Sequence, residues 1–307
     1  MSPDVVIVGA GITGCASAYA LSELGLRVEV IEKYFPASMG SGWTLGGVRQ
    51  SGRDPAELPL AQFSVKKWLT LNKELEAETG YLQHGNLRLA RTEEEQGVIT
   101  RLVESQQALG LSLSLLSSSE DIREIAPQVS TKVLAASFCP SDGHADPNAT
   151  VTAYQQAAER NGAVFSCEES VEAITITGDR LQKIWTTRRG INPGQCLLAC
   201  GIGVTDLARS LGLKLPISMA LATVVQTGSV EPSLKPVIGV ADGEITLRQE
   251  RDGRFRLSSG AHFRNRGPLE VQGHPVAKTS IQDVYQVLAA SLEICPALDQ
   301  LPMESFW

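Results

Sequence analysis

The chain has 307 residues, of which 43% are hydrophobic and 20% are charged, and its formal net charge is −7. This composition is typical of a globular protein with a large core, and the length is enough for about two domains. The acidic balance, without a run of Lys or Arg, argues against a nucleic-acid partner. Apolar runs are too short for a membrane span and no signal peptide is recognisable, so we expect a cytoplasmic protein.

The first elements in chain order form a βαβ unit. An apolar strand over residues 4–8 leads into Gly9-x-Gly11-x-x-Gly14, a helix of small residues follows, and a second strand ends at Glu32. Gly9 permits the tight turn, Gly11 lets the backbone approach a pyrophosphate, and Gly14 lets helix and strand pack closely. This order of elements predicts a dinucleotide-binding unit; the alternative is a βαβ unit whose glycines only form a turn.

The two ends of this unit suit the two parts of a dinucleotide. The helix N-terminus at Ile12 and Thr13 supplies free N–H groups and a partial positive charge for the phosphates. Glu32, followed by Lys33, lies where a carboxylate accepts hydrogen bonds from the ribose hydroxyls. The negative charge of Glu32 disfavours NADP.

The rest of the chain alternates between helix and strand patterns. A Gly/Ser-rich stretch over 38–53 predicts an irregular, ligand-contacting loop. Apolar periodicity predicts helices over 59–79, 93–108, 119–125, 147–160, 204–211 and 280–292. Strands are predicted over 84–90, 135–139, 163–167, 171–177, 181–187, 195–201, 219–227, 236–240, 244–250 and 254–259.

This order predicts an α/β fold with two domains. Residues 1–81, 148–212 and 300–307 form a Rossmann-like dinucleotide-binding domain. Residues 82–147 and 213–299 form an inserted α+β substrate domain built on an antiparallel sheet, because the later strands alternate in period two with Asp-Gly turns between them.

Cysteine and histidine usage points away from a metal site. The six cysteines form no Cys-x-x-Cys pair, which favours buried free thiols in a reducing compartment. The four histidines are scattered, so there is no zinc signature and we predict no metal. We interpret Asp146 as a helix cap and His144 as a structural loop residue, whereas His262 could face a cavity of the substrate domain.

Further motifs point to a family. They are Gly46-Gly-Val-Arg-Gln50, Gln83-His-Gly-Asn-Leu87, Asp142-Gly-His-Ala-Asp-Pro147 and Leu198-Ala-Cys-Gly201. With the N-terminal fingerprint, they make nearly the whole chain resemble the flavoprotein family of amino-acid and amine oxidases, which contains D-amino acid oxidase, glycine oxidase and sarcosine oxidase. The likeness is strongest to the sarcosine oxidase beta-subunit and related amino-acid dehydrogenase subunits.

The resemblance implies FAD as the cofactor of the first domain. It implies that the backbone at Val171 contacts the adenine and that the strand end at 199–201 lies near the pyrophosphate and ribose. The alternative for these positions is ordinary sheet packing. The expected cofactor-binding residues are Gly9, Gly11, Ile12, Thr13, Gly14, Glu32, Lys33, Gly46, Gly47, Val48, Val171, Ala199, Cys200 and Gly201.

The resemblance also implies a reaction, the oxidation of the C–N bond of a small amino acid or secondary amine by hydride transfer to flavin. Sarcosine, glycine and proline-like compounds are the expected substrates. A guanidinium binds a carboxylate in bidentate fashion, and the resemblance places Arg49 near the flavin ring. Arg53 is the sequence-nearest candidate for a carboxylate clamp; the alternative is that both are solvated loop arginines.

The electron acceptor and the completeness of the site stay open. Oxygen-using family members place a lysine above the flavin, whereas the corresponding stretch here carries Arg256, a third catalytic candidate. The acceptor is therefore oxygen, a partner subunit or a quinone. Family members also continue beyond the strand that ends here at Trp307. The alternative function is a non-catalytic or incomplete flavin-binding subunit. Such a subunit would need a partner chain in a hetero-oligomer, or a further C-terminal segment. An NAD-dependent dehydrogenase is a weaker alternative.

Overall fold

A computed structural model describes residues 2–259, 269–271, 274–276 and 279–307. In chain order the helices are α1 (Ile12–Glu23), α2 (Gly40–Trp43), α3 (Leu58–Glu74), α4 (Glu93–Ala108), α5 (Ser119–Ile125), α6 (Pro147–Arg160), α7 (Val204–Ser210) and α8 (Ile281–Ile294). Within the described ranges, no helix is both long and apolar enough to cross a bilayer.

The strands belong to two large sheets and three small ones. In chain order they are β1 (Val5–Val8), β2 (Val28–Ile31), β3 (Gly47–Val48), β4 (Asn86–Ala90), β5 (Ser114–Leu116), β6 (Ala135–Cys139), β7 (Gly143–His144), β8 (Val164–Ser166), β9 (Val171–Thr177), β10 (Arg180–Thr186), β11 (Gly190–Ile191), β12 (Gln195–Leu198), β13 (Val224–Thr227), β14 (Val237–Val240), β15 (Ile245–Gln249), β16 (Phe255–Ser259), β17 (Leu269–Val271), β18 (His274–Val276) and β19 (Met303–Phe306).

The first large sheet is parallel, with the strand order β12-β1-β2-β8. Its central strand β1 is a continuous apolar run because both of its faces are covered. Ile7 and Val30 pack with α1 and α6 on one face. Val6 and Val8 pack with Ile184 of the antiparallel β9–β11 sheet on the other face. The confirmed part of the predicted fold is therefore a mixed α/β architecture with a parallel sheet.

The second large sheet has the order β19-β13-β16-β15-β14-β4-β6-β5, and only β14 and β4 run parallel within it. Leu87, Leu247 and Leu257 form its apolar core with residues of α5 and α8. Because side chains alternate along a strand, the residues between these leucines point to the opposite face. The central part of that face is polar and carries Arg88, Arg248 and Arg256, whereas Ala90 and Ala135 near its edge pack against α4.

Most predicted elements match the structure to within a few residues, with two corrections. The stretch over 38–53 is not wholly irregular, since it contains the single helical turn α2 and the short strand β3. Residues 300–307 were expected with the dinucleotide-binding domain, but β19 pairs with β13 at the edge of the second sheet. The four residues of β19 are all exposed, so their sequence shows no apolar alternation that would indicate which sheet the strand joins. His262 lies outside the described residues.

Leu247 tests the core of the second sheet. Leu247→Ala removes a fully buried side chain from a central strand, so we expect it to lower the free energy of unfolding by about 2–5 kcal/mol. The matched control is Leu60→Ala, because Leu60 is 71% exposed on α3, and it should change that free energy by less than about 0.5 kcal/mol. Denaturant titration followed by far-ultraviolet circular dichroism measures both; equal effects would contradict this description of the core.

Candidate active site

The carboxyl ends of the parallel strands meet at one edge of the first sheet. The Gly9 N–H donates to the Ile31 carbonyl (2.8 Å), and the Ala199 N–H donates to the Val8 carbonyl (2.8 Å). The Glu32 N–H donates to the carbonyl of Ser166 (2.9 Å). Residues that follow three neighbouring strands are therefore brought together, at the edge where ligands bind in open α/β sheets.

The glycines of the first turn are required by close backbone contacts. Gly9 has a φ of +103°, and a Cβ on it would lie 2.7 Å from the Ala199 carbonyl oxygen. A Cβ on Gly14 would lie 1.9 Å from the Gly9 carbonyl oxygen. A Cβ on Gly11 would lie 2.9 Å from the Ser41 hydroxyl. The turn is thus a cradle that a side chain would fill, which is the shape that a pyrophosphate needs.

The N-terminus of α1 faces this cradle. Its first turn contains no acidic residue. The Ile12 N–H donates to the Ser41 hydroxyl at 3.0 Å, while Thr13 is exposed. The helix dipole and its unpaired first-turn N–H groups favour an anion at this point. Ser41 comes from α2, so the Gly/Ser-rich stretch returns to the cradle.

Glu32 is held rigidly at the end of β2. One carboxylate oxygen accepts a hydrogen bond from the Ala10 N–H (2.7 Å) and the other accepts one from the Tyr34 N–H (2.9 Å). The residue is 8% exposed. Each carboxylate oxygen has a second lone pair, so the fixed carboxylate can also accept a ribose hydroxyl.

The remaining predicted cofactor residues surround Glu32 and the cradle. The Glu169 N–H donates to the Glu32 carbonyl at 2.9 Å, which brings the start of β9 at Val171 to this edge. Gly201 is exposed with a φ of +55°, and it follows Ala199 and Cys200 directly. Lys33 is exposed, with its ammonium 4.8 Å from the centre of the Tyr34 ring.

A buried carboxylate fixes the loop after β3. Asp142 is fully buried, and it accepts hydrogen bonds from the Gln50 N–H (2.9 Å), the Ser51 N–H (3.3 Å) and the Ser51 hydroxyl. At the start of this segment, Gly46 has a φ of +66°, and a Cβ there would lie 2.3 Å from the Ala145 carbonyl oxygen. Gly47 pairs with His144 in a short ladder that also includes Val48.

This loop places Arg49 inward and Arg53 outward. Arg49 is partly buried and donates to the Ser51 carbonyl at 2.6 Å. Burial lowers its pKa, and the charges of Arg88 and Arg53 lower it further. The Arg53 side chain is 40% exposed and lies 3.6 Å from the Glu57 carboxylate. Arg49 is therefore partly buried near Arg88, whereas Arg53 is exposed beside Glu57.

Arg248 and Arg256 are directly opposite each other on β15 and β16. The Glu250 carboxylate lies between them, 3.0 Å from Arg248 and 2.8 Å from Arg256. Burial raises the pKa of Glu250, although both arginines oppose this shift. Arg256 also donates to the Thr44 carbonyl at 3.3 Å, and its guanidinium lies 5.5 Å from the Trp307 ring. The third predicted catalytic arginine therefore contacts the loop that precedes Arg49.

His144 has a structural position, as predicted, but it lies in the short strand β7 rather than in a loop. It is 2% exposed in β7, and its Nδ1 is hydrogen-bonded to the Arg248 guanidinium. Burial and the charge of Arg248 lower the pKa of His144 to about 3. The imidazole is therefore neutral and accepts from Arg248. Asp146 caps α6 as predicted, accepting the Ala149 N–H at 2.7 Å.

Sequence reasoning did not select several residues of this site. They are Ser41, Arg88, Asp142, Arg248 and Glu250. Ser41 was the easiest of them to predict, because it lies in the Gly/Ser-rich stretch that predicted a ligand-contacting loop. The others look like ordinary strand or turn residues, and only the pairing of distant segments brings them together. Among the described residues, no group of three or more His, Cys, Asp or Glu is arranged to bind a metal.

Comparison with known proteins places the chain beside flavoproteins. The DAO family, described as FAD dependent oxidoreductase, matches residues 4–307. Human mitochondrial dimethylglycine dehydrogenase is 27% identical over 96% of this chain, which spans only 36% of that relative. Sarcosine oxidase subunit beta from an Arthrobacter species is 25% identical over the whole chain and 75% of the relative. The crystal structure of L-proline dehydrogenase from P. horikoshii has a TM-score of 0.88 and 25% identity, with 100% of this chain and 80% of that chain covered.

His144 predicts an acid-sensitive fold. Its pKa is about 3 in the native state against 6.5 ordinarily, so the unfolded chain binds a proton that the native state excludes as pH falls through that interval. The native state should therefore lose stability from about pH 6.5 downward. His144→Gln retains an acceptor for Arg248 but does not titrate.

Denaturation midpoints at about pH 7 and about pH 5 measure this effect. We expect the wild-type chain to lose more stability than His144→Gln across that interval, with the difference assigned to the imidazole. An equal loss in both proteins would show that His144 is protonated normally in the native state.

Proposed function

The chain belongs to the DAO family of FAD dependent oxidoreductases, and on that premise we propose that it oxidises the C–N bond of a small amino acid or secondary amine by hydride transfer to flavin. The proposed substrates are sarcosine, dimethylglycine, glycine or proline-like compounds. They are supported by the names of the similar proteins, which are dehydrogenases and oxidases of such molecules. The chain spans about a third of the dimethylglycine dehydrogenases, so the activity is proposed from this part alone.

The observation that carries the proposal is the course of residues 41–53. This segment begins at the N-terminus of α1, where Ser41 accepts the Ile12 N–H. It ends beside the second sheet, where Asp142 fixes it and Arg49 is partly buried. A single loop thereby connects a dinucleotide cradle to a cluster of guanidinium groups, as a site for both FAD and an anionic substrate requires.

The residues of the first sheet edge fit FAD. The glycine cradle leaves the space that a pyrophosphate needs, and the fixed Glu32 carboxylate suits a ribose. We assign Gly46, Gly47 and Val48 to the isoalloxazine ring, because this segment leads from the cradle towards the second sheet. When bound, FAD supplies the acceptor for two electrons.

The charged residues create conditions that suit amine oxidation. Around Arg49, the guanidiniums of Arg49, Arg53 and Arg88 outnumber the neighbouring carboxylates of Asp142 and Glu57. Excess positive charge lowers the pKa of a bound amine and favours its neutral form, which can lose a hydride from the adjacent carbon. The same charge favours a substrate that carries a carboxylate, and the partly buried sheet face limits access of water.

The electron acceptor is proposed to be oxygen, a partner subunit or a quinone. Arg256 occupies the strand position where we expected a lysine in oxygen-using relatives, which favours a partner over oxygen. One similar protein is by its name the beta subunit of sarcosine oxidase. This name supports a second candidate function, a flavin-binding subunit that turns over only within a hetero-oligomer.

The visible absorption spectrum separates these functions. The purified chain should show flavin bands, and anaerobic addition of sarcosine, dimethylglycine, glycine or L-proline should bleach them for the true substrate class. Flavin bands that none of these compounds bleaches would contradict independent catalysis and favour the subunit function. Absence of flavin after incubation with FAD would contradict the cofactor assignment for this chain.

Arg49→Gln tests the loop. The substitution removes a partly buried charge beside the proposed ring site while retaining a hydrogen-bond donor to the Ser51 carbonyl. We expect the rate constant for anaerobic flavin reduction to fall by roughly ten- to a hundredfold, since a charged hydrogen bond contributes about 1.5–3 kcal/mol. The exposed Arg180 provides a matched Arg180→Gln control. An unchanged rate in Arg49→Gln would exclude Arg49 from the site.

A further inference from the structure

Arg88 is a partly buried cation of the second sheet. It lies in β4 on the polar face of the second sheet, beside Gly239 of β14. Within the part of the chain that the structure describes, its guanidinium donates no hydrogen bond and makes no ion pair. Burial lowers the pKa of Arg88. Removing an unpaired charge from water is costly, so the fold retains a guanidinium that an anion would stabilise.

The loop after Arg49 is shaped to receive this guanidinium. A Cβ on Gly52 would lie 2.9 Å from the Arg88 Cζ, and Gly52 has a φ of +64°. The Gly52 N–H donates to the Gln106 side-chain oxygen (2.9 Å), while the Gln106 amide donates to the Arg53 carbonyl (3.1 Å). Gln106 thus holds the loop backbone against the guanidinium, and the bare Cα of Gly52 leaves room for it.

The charges around Arg88 leave a positive excess. Asp142 raises the pKa of Arg88 through its charge but makes no bond to it. The Asp142 oxygens already accept hydrogen bonds from Gln50 and Ser51. Arg49 is close enough to Arg88 for the charge of Arg88 to lower the Arg49 pKa. Because Glu57 is paired with Arg53, the two neighbouring guanidiniums share the charge of Asp142, which already accepts three hydrogen bonds.

We propose that Arg88, with Arg49 beside it, binds the carboxylate group of the substrate. This assignment rests on the proposed function, and it replaces Arg53, which points outward to Glu57. A guanidinium presents parallel N–H groups that match the two carboxylate oxygens. Holding the carboxylate of an α-amino acid fixes the adjacent carbon and nitrogen, so the site selects amino acids over simple amines.

The first test measures carboxylate binding without turnover. Acetate is the probe, titrated calorimetrically into the purified wild-type chain and into Arg88→Gln, Arg88→Lys and Arg101→Gln. Arg101 is an exposed arginine of α4 and serves as the matched control. We expect Arg88→Gln to weaken acetate affinity by roughly ten- to a hundredfold, Arg88→Lys to weaken it less, and Arg101→Gln to leave it unchanged. Unchanged thermal unfolding of the Arg88 variants shows that they fold.

The second test compares substrates with and without the carboxylate. In anaerobic flavin reduction, Arg88→Gln should raise the half-saturating concentration of sarcosine by a similar factor and leave that of dimethylamine unchanged. Equal acetate affinity in wild type and a folded Arg88→Gln variant would overturn the proposal. The proposal would also be overturned if Arg53→Gln lost acetate binding while Arg88→Gln kept it. Absence of acetate binding to the wild type would overturn it as well. Acetate binding that depends on Arg88, with flavin that no substrate bleaches, would instead overturn the proposed function alone.

Discussion

The hydrogen bonds of the buried Asp142 carboxylate are the constraint on which the substrate side of this molecule depends. They join the turn between β6 and β7 to the backbone at Gln50 and Ser51, about ninety residues earlier in the chain. A fully buried carboxylate is tolerated only when its oxygens are satisfied, so the loop cannot move away without leaving a charge unpaired. That requirement orients Arg49 inward and presents Gly52 to Arg88.

A second consequence of burial concerns the cations of the polar sheet face. Arg248 is 2% exposed, and it is tolerated there because Glu250 and the neutral imidazole of His144 both accept its N–H groups. Burial lowers the pKa of His144, and the charge of Arg248 lowers it further because a protonated imidazole would bring two positive charges into contact. Arg248 and Arg256 thus form ion pairs with Glu250, whereas Arg88 makes no ion pair or hydrogen bond with the described residues. The distribution of partners, rather than the number of arginines, distinguishes a structural cation from one suited to a ligand.

The two halves of the site are built on different physical principles. The dinucleotide edge uses backbone: glycines without side chains, helix N–H groups and a carboxylate held by two amides. The substrate face uses side-chain charge on a rigid sheet, partly screened from water. The first arrangement is local and recurs wherever a pyrophosphate meets a βα turn. The second depends on which strands become neighbours, which allows related proteins to bind different substrates on one fold.

Sequence alone predicts the βαβ unit, the flavoprotein family and most helices and strands, because those features depend on residues close together in the chain. Gly9, Gly11, Gly14 and Glu32 carry their meaning in spacing alone. The prediction for Arg49 likewise came from a short motif, Gly46-Gly-Val-Arg-Gln50, which is part of the family resemblance. Only tertiary contacts establish that β19 joins the second sheet, that His144 is buried against Arg248, and that Gln106 holds the loop at Gly52. Those outcomes depend on contacts across fifty to a hundred residues or more, and no local periodicity records which distant charges a fold will bring together.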